Sequence, residues 1–236
     1  MIRYVSNAGI LFREATCCIG IDCLCKDSAK LYHDTPEEIR TSLLLDHLIF
    51  THEHEDHFCA AYVKEAWCKN SNMQIYSNKK VITCLKESGI PSTNLHLVKE
   101  GDKISIGDIT ICIAKTKHEG EQYSDIENLT LLIKKGNEKI VVTGDAMPSE
   151  EFCERVREWS QEIDWLFAPF PYVGLRTTRK RLTEYLHIRN VFAFHQPRPE
   201  MDGQNWIGST QRVCELAQDS LPRPIFPGTP GEWYEI

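Results

Sequence analysis

A chain of 236 residues is long enough for one domain with a sizeable core, and 42% apolar with 26% charged residues excludes both a disordered and a membrane-embedded protein. The net charge of −7, from 34 acidic and 27 basic side chains, argues against a broad nucleic-acid surface, which needs clustered Lys and Arg. The apolar runs are strand-sized, the first residues carry no export-signal core, and ten cysteines without such a signal are expected as reduced thiols; the expected location is therefore cytoplasmic.

In chain order, residues 2–25 predict two or three antiparallel strands with a turn at Asn7-Ala8-Gly9, ending in Ile19-Gly20-Ile21-Asp22. Cys17, Cys18, Cys23 and Cys25 crowd this segment, but their spacing is neither paired Cys-x-x-Cys nor a zinc ribbon, so inert thiols are expected. Thr35 as N-cap and Pro36 at the first helical position predict a helical start over 36–41. The apolar run Leu48-Ile49-Phe50 predicts the end of a buried strand, followed at once by Thr51-His52-Glu53-His54-Glu55-Asp56-His57. A helix over 58–69, strand 74–76, helix 79–88 and strand 95–98 follow, then two or three strands between 103 and 142.

Helix 149–160 and strand 165–168 precede a basic helix, for which Thr177 or Thr178 is the expected N-cap. Arg176-Thr177-Thr178-Arg179-Lys180-Arg181 packs four cations into six residues; a solvated helix face is expected, with a phosphate or carboxylate site as the alternative. A helix over 210–218 and a Pro/Gly-rich tail close the chain.

Three of the nine histidines fall within the hexapeptide His52–His57. Neutral imidazoles bind zinc, iron and similar metals, and a carboxylate adds charge compensation. One tetrahedral ion cannot easily use all four groups, because consecutive Asp56 and His57 point away from the direction shared by His52 and His54. Two adjacent ions are the economical reading. The dipole of the following helix is expected to help keep Asp56 ionised.

The run resembles the His-x-His-x-Asp-His signature of the metallo-β-lactamase superfamily. The resemblance extends along most of the chain in order: His118 stands after the strand-like Ile109–Ala114, Asp145 after Ile140–Thr143, His195 after Val191–Phe194, and Asp22 at the early strand end. It implies one ion on His52, His54 and His118, a second on Asp56, His57 and His195, and Asp145 bridging both. Asp22 is implied as the hydrogen-bond partner of a ligand imidazole. The implied architecture is a four-layer αββα sandwich forming a single α/β domain over 1–236.

Two close divalent ions, zinc first with manganese or iron as alternatives, would acidify a shared water. The implied activity is hydrolysis of an ester, lactone or phosphodiester of a small molecule by a metal-bridged hydroxide. Asp56 would be the catalytic group that orients the nucleophile and takes up its proton. Tyr172 and Arg176, in the segment after residue 170, are candidate substrate contacts. The alternative is a mononuclear iron oxidoreductase of the dioxygenase type. The superfamily's di-iron flavoproteins usually carry Glu where this chain has His54. Neither membrane nor nucleic acid is expected as a partner, and the sequence leaves the oligomeric state open.

Overall fold

Two mixed sheets organise the chain, described here by a computed structural model over residues 1–14 and 17–236. The first stretch holds β1 (Ile2–Tyr4), β2 (Ile10–Arg13), β3 (Cys18–Ile21), α1 (Glu37–Ser42), β4 (His47–Ile49), α2 (Ala60–Lys69), β5 (Gln74–Ser77), α3 (Lys79–Glu87) and β6 (Leu95–Leu97). The second begins with β7 (Lys103–Ile106), β8 (Ile109–Lys117), β9 (Glu127–Lys135), β10 (Glu138–Val142) and α4 (Glu150–Trp159). It continues through β11 (Glu162–Pro169), α5 (Phe170–Gly174), α6 (Arg176–Tyr185), β12 (His187–Phe194) and α7 (Trp206–Leu216), before β13 (Trp233–Tyr234). The chain divides into two compact units, Met1–Val98 with Pro227–Ile236, and Lys99–Phe226.

In the first unit the seven strands run β13-β1-β2-β3-β4-β5-β6. The β13-to-β3 half is antiparallel and the β3-to-β6 half parallel. Register places Leu11, Gly20, Leu48 and Ile75 side by side, and their face packs with Val63, Ala66, Val81 and Leu85 from α2 and α3. The alternate residues Ile10, Ile19, Ile21 and Ile49 are also buried, so β3 and β4 read as continuous apolar runs. Gly20 is required there, because a Cβ would stand 2.4 Å from Cys23 Sγ.

The second unit orders its strands β12-β11-β10-β9-β8-β7, with β10, β11 and β12 parallel and the rest antiparallel. Leu132, Val141, Leu166 and Val191 line one face and pack with Phe152 and Val156 of α4 and Leu182 of α6. Ser149 caps α4 by accepting from Phe152 N–H at 3.1 Å.

Several sequence expectations shift. Helix α1 starts at Glu37 with Pro36 in the capping position, because the Thr35 hydroxyl is engaged elsewhere: it accepts from Cys25 N–H at 2.9 Å and donates to the Cys23 carbonyl at 3.0 Å. Helix α6 begins at Arg176 after Leu175, with no side-chain cap, so neither Thr177 nor Thr178 holds that role. Helix α7 starts four residues earlier than expected, where Asp202 accepts from the Trp206 and Ile207 N–H groups. The tail supplies β13 against β1.

The basic run is not a uniform solvated face. Arg179 is 2% exposed and forks onto Asp219 at 2.8 and 2.6 Å, with further donation to the Val173 carbonyl. Arg181 donates to the Pro148 carbonyl, Lys180 pairs with Glu184 at 3.5 Å, and Arg176 is exposed. None of the ten cysteines is in a disulfide. Burial pushes the Cys25 thiol up to about 12 and Cys18 to about 11, and it raises Cys23 well above its ordinary value, so these three stay protonated. Among the described residues no helix is long and apolar enough to cross a membrane.

Asp219 lies at the surface, so Arg179→Ala leaves no charge buried; through the lost charge-assisted hydrogen bonds it should lower the unfolding free energy by about 1.5–3 kcal/mol in urea titrations. The Arg179 bonds hold the Asp219 carboxyl below its ordinary value. Its contribution is therefore present above the unfolded value and lost as pH falls through the folded one. The gap in melting temperature between wild type and Asp219→Asn should accordingly narrow below about pH 4.

Candidate metal centre

Each unit carries a His/Asp cluster at the ends of its strands. In the first, the two glutamates fasten the flanks of the turn after β4. Glu53 accepts from Asn78 Nδ2 at 2.9 Å and pairs with Lys80 at 2.9 Å; Glu55 accepts from the Ser28 N–H and hydroxyl at 3.0 and 2.6 Å. The alternate side chains His52, His54 and Asp56, with His57, are left for the site. His57 and Phe58 N–H both donate to the His54 carbonyl, closing the turn.

Asp22 is fully buried and anchors this cluster. It follows β3 in the left-handed region at φ 46°, which Asp tolerates better than most residues. Its carboxylate accepts Thr51 N–H at 2.8 Å, the Thr51 hydroxyl at 2.6 Å and His57 Nδ1 at 2.9 Å. With its proton committed to Asp22, Thr51 Oγ1 serves His52 Nδ1 as acceptor at 3.0 Å. The network assigns the Nδ1–H tautomer to both His52 and His57 and turns each Nε2 lone pair outward.

Two ligand atoms of one ion must lie closer than roughly 4.2 Å, twice a metal–nitrogen bond. His52 Nε2 and His54 Nδ1 are 3.1 Å apart, and His57 Nε2 is 3.8 Å from Asp56 Oδ2. Both pairs meet that limit. Asn7, itself buried, donates Nδ2 to both Asp56 Oδ2 and the Asp56 carbonyl at 3.1 Å. Helix α2 begins only at Ala60, so the carboxylate is held by an amide side chain and not, as the sequence suggested, by a helix N-terminus two residues away.

In the second unit, His118 follows β8 and donates Nδ1–H to the Glu119 carbonyl at 2.6 Å, which makes Nε2 the unprotonated nitrogen. Asp145 follows β10 through Gly144, whose φ of 55° lets the chain turn. Its backbone is pinned by Asn128, a fully buried polar residue within β9. Asn128 accepts Asp145 N–H at 3.0 Å and donates to the Thr143 carbonyl at 2.8 Å. His195 follows β12 at φ 62°. Asp145 Oδ2 lies 3.5 Å from His118 Nε2 and 3.3 Å from His195 Nε2, between two imidazoles that arrive from different strands. The spacing suits a carboxylate that serves two ions.

The two substrate-contact candidates lie in different surroundings. Tyr172, in α5, is 3% exposed and packs edge-on against Phe152; burial first, then the charges of Asp145 and Glu119, raises its phenol well above the ordinary range. Arg176 is exposed and borders a groove with Lys180, Val213 and Leu216. Sequence reasoning did not identify Thr51, Asn7 or Asn128 as supports. Thr51 directly follows an apolar strand, and Asn128 interrupts one; a polar residue in such a place is the signal that could have found them.

The family profile described as Beta-lactamase superfamily domain matches residues 19–192, which includes Asp22, the His52–His57 run, His118 and Asp145; His195 lies just beyond. By sequence alone no curated protein matches. Among solved structures, the chain resembles an isothiocyanate hydrolase from Delia radicum gut bacteria, with a TM-score of 0.73, 16% identity, and coverage of 98% of this chain and 97% of that one. It also resembles the metallo-beta-lactamase fold protein YhfI from Bacillus subtilis, with a TM-score of 0.67, 17% identity, and coverage of 96% and 90%. CmlA, a diiron beta-hydroxylase from Streptomyces venezuelae, aligns with a TM-score of 0.59 at 16% identity, over 89% of this chain and 46% of that one. The fold is the metallo-β-lactamase fold.

Because Asp22 fixes the tautomer of His57 and, through Thr51, that of His52, Asp22→Asn should weaken zinc binding by about tenfold to a hundredfold. Competition titration against a chromophoric chelator measures this. Unchanged affinity would show that the two imidazoles need no such orientation.

Proposed function

Because the chain belongs to the beta-lactamase superfamily, we propose that it is a metal-dependent hydrolase with a dinuclear centre. His52, His54 and His118 would hold one ion, Asp56, His57 and His195 the other, and Asp145 both. The observation that carries this reading is Asp145 Oδ2 standing within 3.5 Å of two imidazole Nε2 atoms. Support from the other unit is the pair of fixed tautomers, which offer lone pairs and not protons. When bound, two divalent ions such as zinc would acidify water and polarise the substrate's carbonyl or phosphoryl oxygen, making the attached carbon or phosphorus more electrophilic.

The chain's own groups do the rest. Asp56 orients the nucleophile and accepts its proton; Asn7 restrains the carboxylate while it does so. Thr51 and Asp22 keep two imidazoles from donating protons into the site. The substrate proposed is a small molecule with an ester, lactone or phosphodiester bond. Arg176 is proposed as a substrate contact ahead of Tyr172, whose hydroxyl lies in the core. A second reading, iron-dependent oxidation, draws on the likeness to the diiron hydroxylase.

Elemental analysis of protein purified without chelator or added metal separates the two. About two zinc or manganese ions per chain favour hydrolysis; iron as the native metal favours oxidation. Asp145→Ala should lower metal content and hydrolysis together, whereas Arg179→Ala should leave the metal content per folded chain intact. An Asp145→Ala protein that kept two tight ions and full activity would refute the bridging role.

A further inference from the structure

Asn7 occupies a turn built to present it. Val5 N–H donates to the Gly9 carbonyl at 2.8 Å and Gly9 N–H to the Ser6 carbonyl at 3.2 Å. Only glycine fits at the end of the turn, since a Cβ on Gly9 would stand 2.3 Å from Ser6 Oγ and 2.9 Å from the Asp22 carbonyl oxygen. The turn therefore packs directly on the segment that carries Asp22, and from it the Asn7 side chain reaches Asp56.

Both Asn7 amide protons go to Asp56, one to Oδ2 and one to the main-chain oxygen, each at 3.1 Å. These recipients only accept, so the amide cannot flip without setting Oδ1 against two oxygens. Asn7 is fully buried, and among the described residues its Oδ1 meets no hydrogen-bond donor. A buried acceptor left unpaired carries the full cost of its lost hydration. A side chain kept for packing alone would carry that cost without return; one kept for its donors gains a fixed carboxylate.

We propose that Asn7 is a positioning residue for the second ion, holding Asp56 Oδ2 toward His57 Nε2 before an ion arrives. The proposal rests on the dinuclear reading given above. Restraining the main-chain oxygen and the carboxylate oxygen of one residue together fixes both backbone and rotamer, which a single bond would not. Preorganised ligands lose less conformational freedom on binding, so the effect falls on the affinity of that ion.

The test is a stepwise zinc titration of metal-stripped wild type, Asn7→Ala, Asn7→Asp, Asp56→Ala and the Asn7→Asp/Asp56→Ala double variant, read with a competing chromophoric chelator. Asn7→Asp keeps the volume but puts a second carboxyl beside Asp56, whereas Asn7→Ala removes the donors without adding charge, so the two variants together read packing and charge apart. Asp56→Ala identifies which binding step belongs to the second ion. Asn7→Ala and Asn7→Asp are expected to weaken that step about tenfold to a hundredfold and to leave the other within a factor of about two. In the Asp56→Ala background, Asn7→Asp should add nothing, as expected for a residue that acts through Asp56.

Equal weakening of both steps, no weakening, or full additivity with Asp56→Ala would each overturn the role of Asn7 while leaving the dinuclear centre standing. A wild-type protein that takes up fewer than two ions would overturn the dinuclear reading itself, and this proposal with it. Far-UV circular dichroism of the metal-free variants confirms that the titrations are made on folded protein.

Discussion

A single buried carboxylate, that of Asp22, sets the condition on which the His/Asp cluster of the first unit depends. Removed from water, it must find donors, and it finds three: a backbone amide, a hydroxyl and an imidazole. Each bond does more than satisfy a charge. The amide fixes where the chain leaves β4, the hydroxyl bond directs Thr51 to accept from His52, and the imidazole bond selects the tautomer of His57. The order of the turn after β4 therefore follows from the satisfaction of one ion in the interior.

The second unit solves the same problem with the main chain and an amide. Asn128 sits within an apolar strand, where a polar side chain is costly unless it is fully bonded, and uses both ends of its amide to fix the turn that carries Asp145. The Glu119 N–H donates to the Asp145 carbonyl at 2.8 Å while its own carbonyl receives His118. In both units the clustered His and Asp side chains stand just beyond strand ends, so the sheets supply rigidity and short polar turns supply direction. Strand termini suit this use, because side chains there leave the apolar packing while the backbone is still held by the ladder.

The strands were readable because both sheets bury two faces, which leaves near-continuous apolar runs such as Ile19–Ile21, Ile140–Val142 and Val191–Phe194. The candidate metal-binding side chains could be picked out because His and Asp stand directly after those runs. The supports were not, because Asn7 and Thr51 carry no chemical signature apart from the atoms they touch. Asn7 reads as an ordinary turn residue, and its partner lies 49 positions away. The helix starts failed for a related reason. Thr35 has the right chemistry for an N-cap, yet its hydroxyl is claimed by the 23–25 segment, a tertiary demand that local sequence does not record. Arg179 reads as one cation in an exposed run until Asp219, forty residues on, draws it into the core.

The clustered imidazoles differ in what holds their protons. His118 gives its Nδ1 proton to a main-chain carbonyl, which every residue at position 119 except one that distorts the backbone would still provide. His52 and His57 rely on side chains, and both trace to the same carboxylate. The two clusters are therefore unequally tolerant of drift. Variation can accumulate at Glu119 without disturbing the His118 tautomer, whereas one substitution at Asp22 disturbs two imidazoles at once. Under selection for the order of this turn, Asp22 should resist change about as strongly as the histidines it orients.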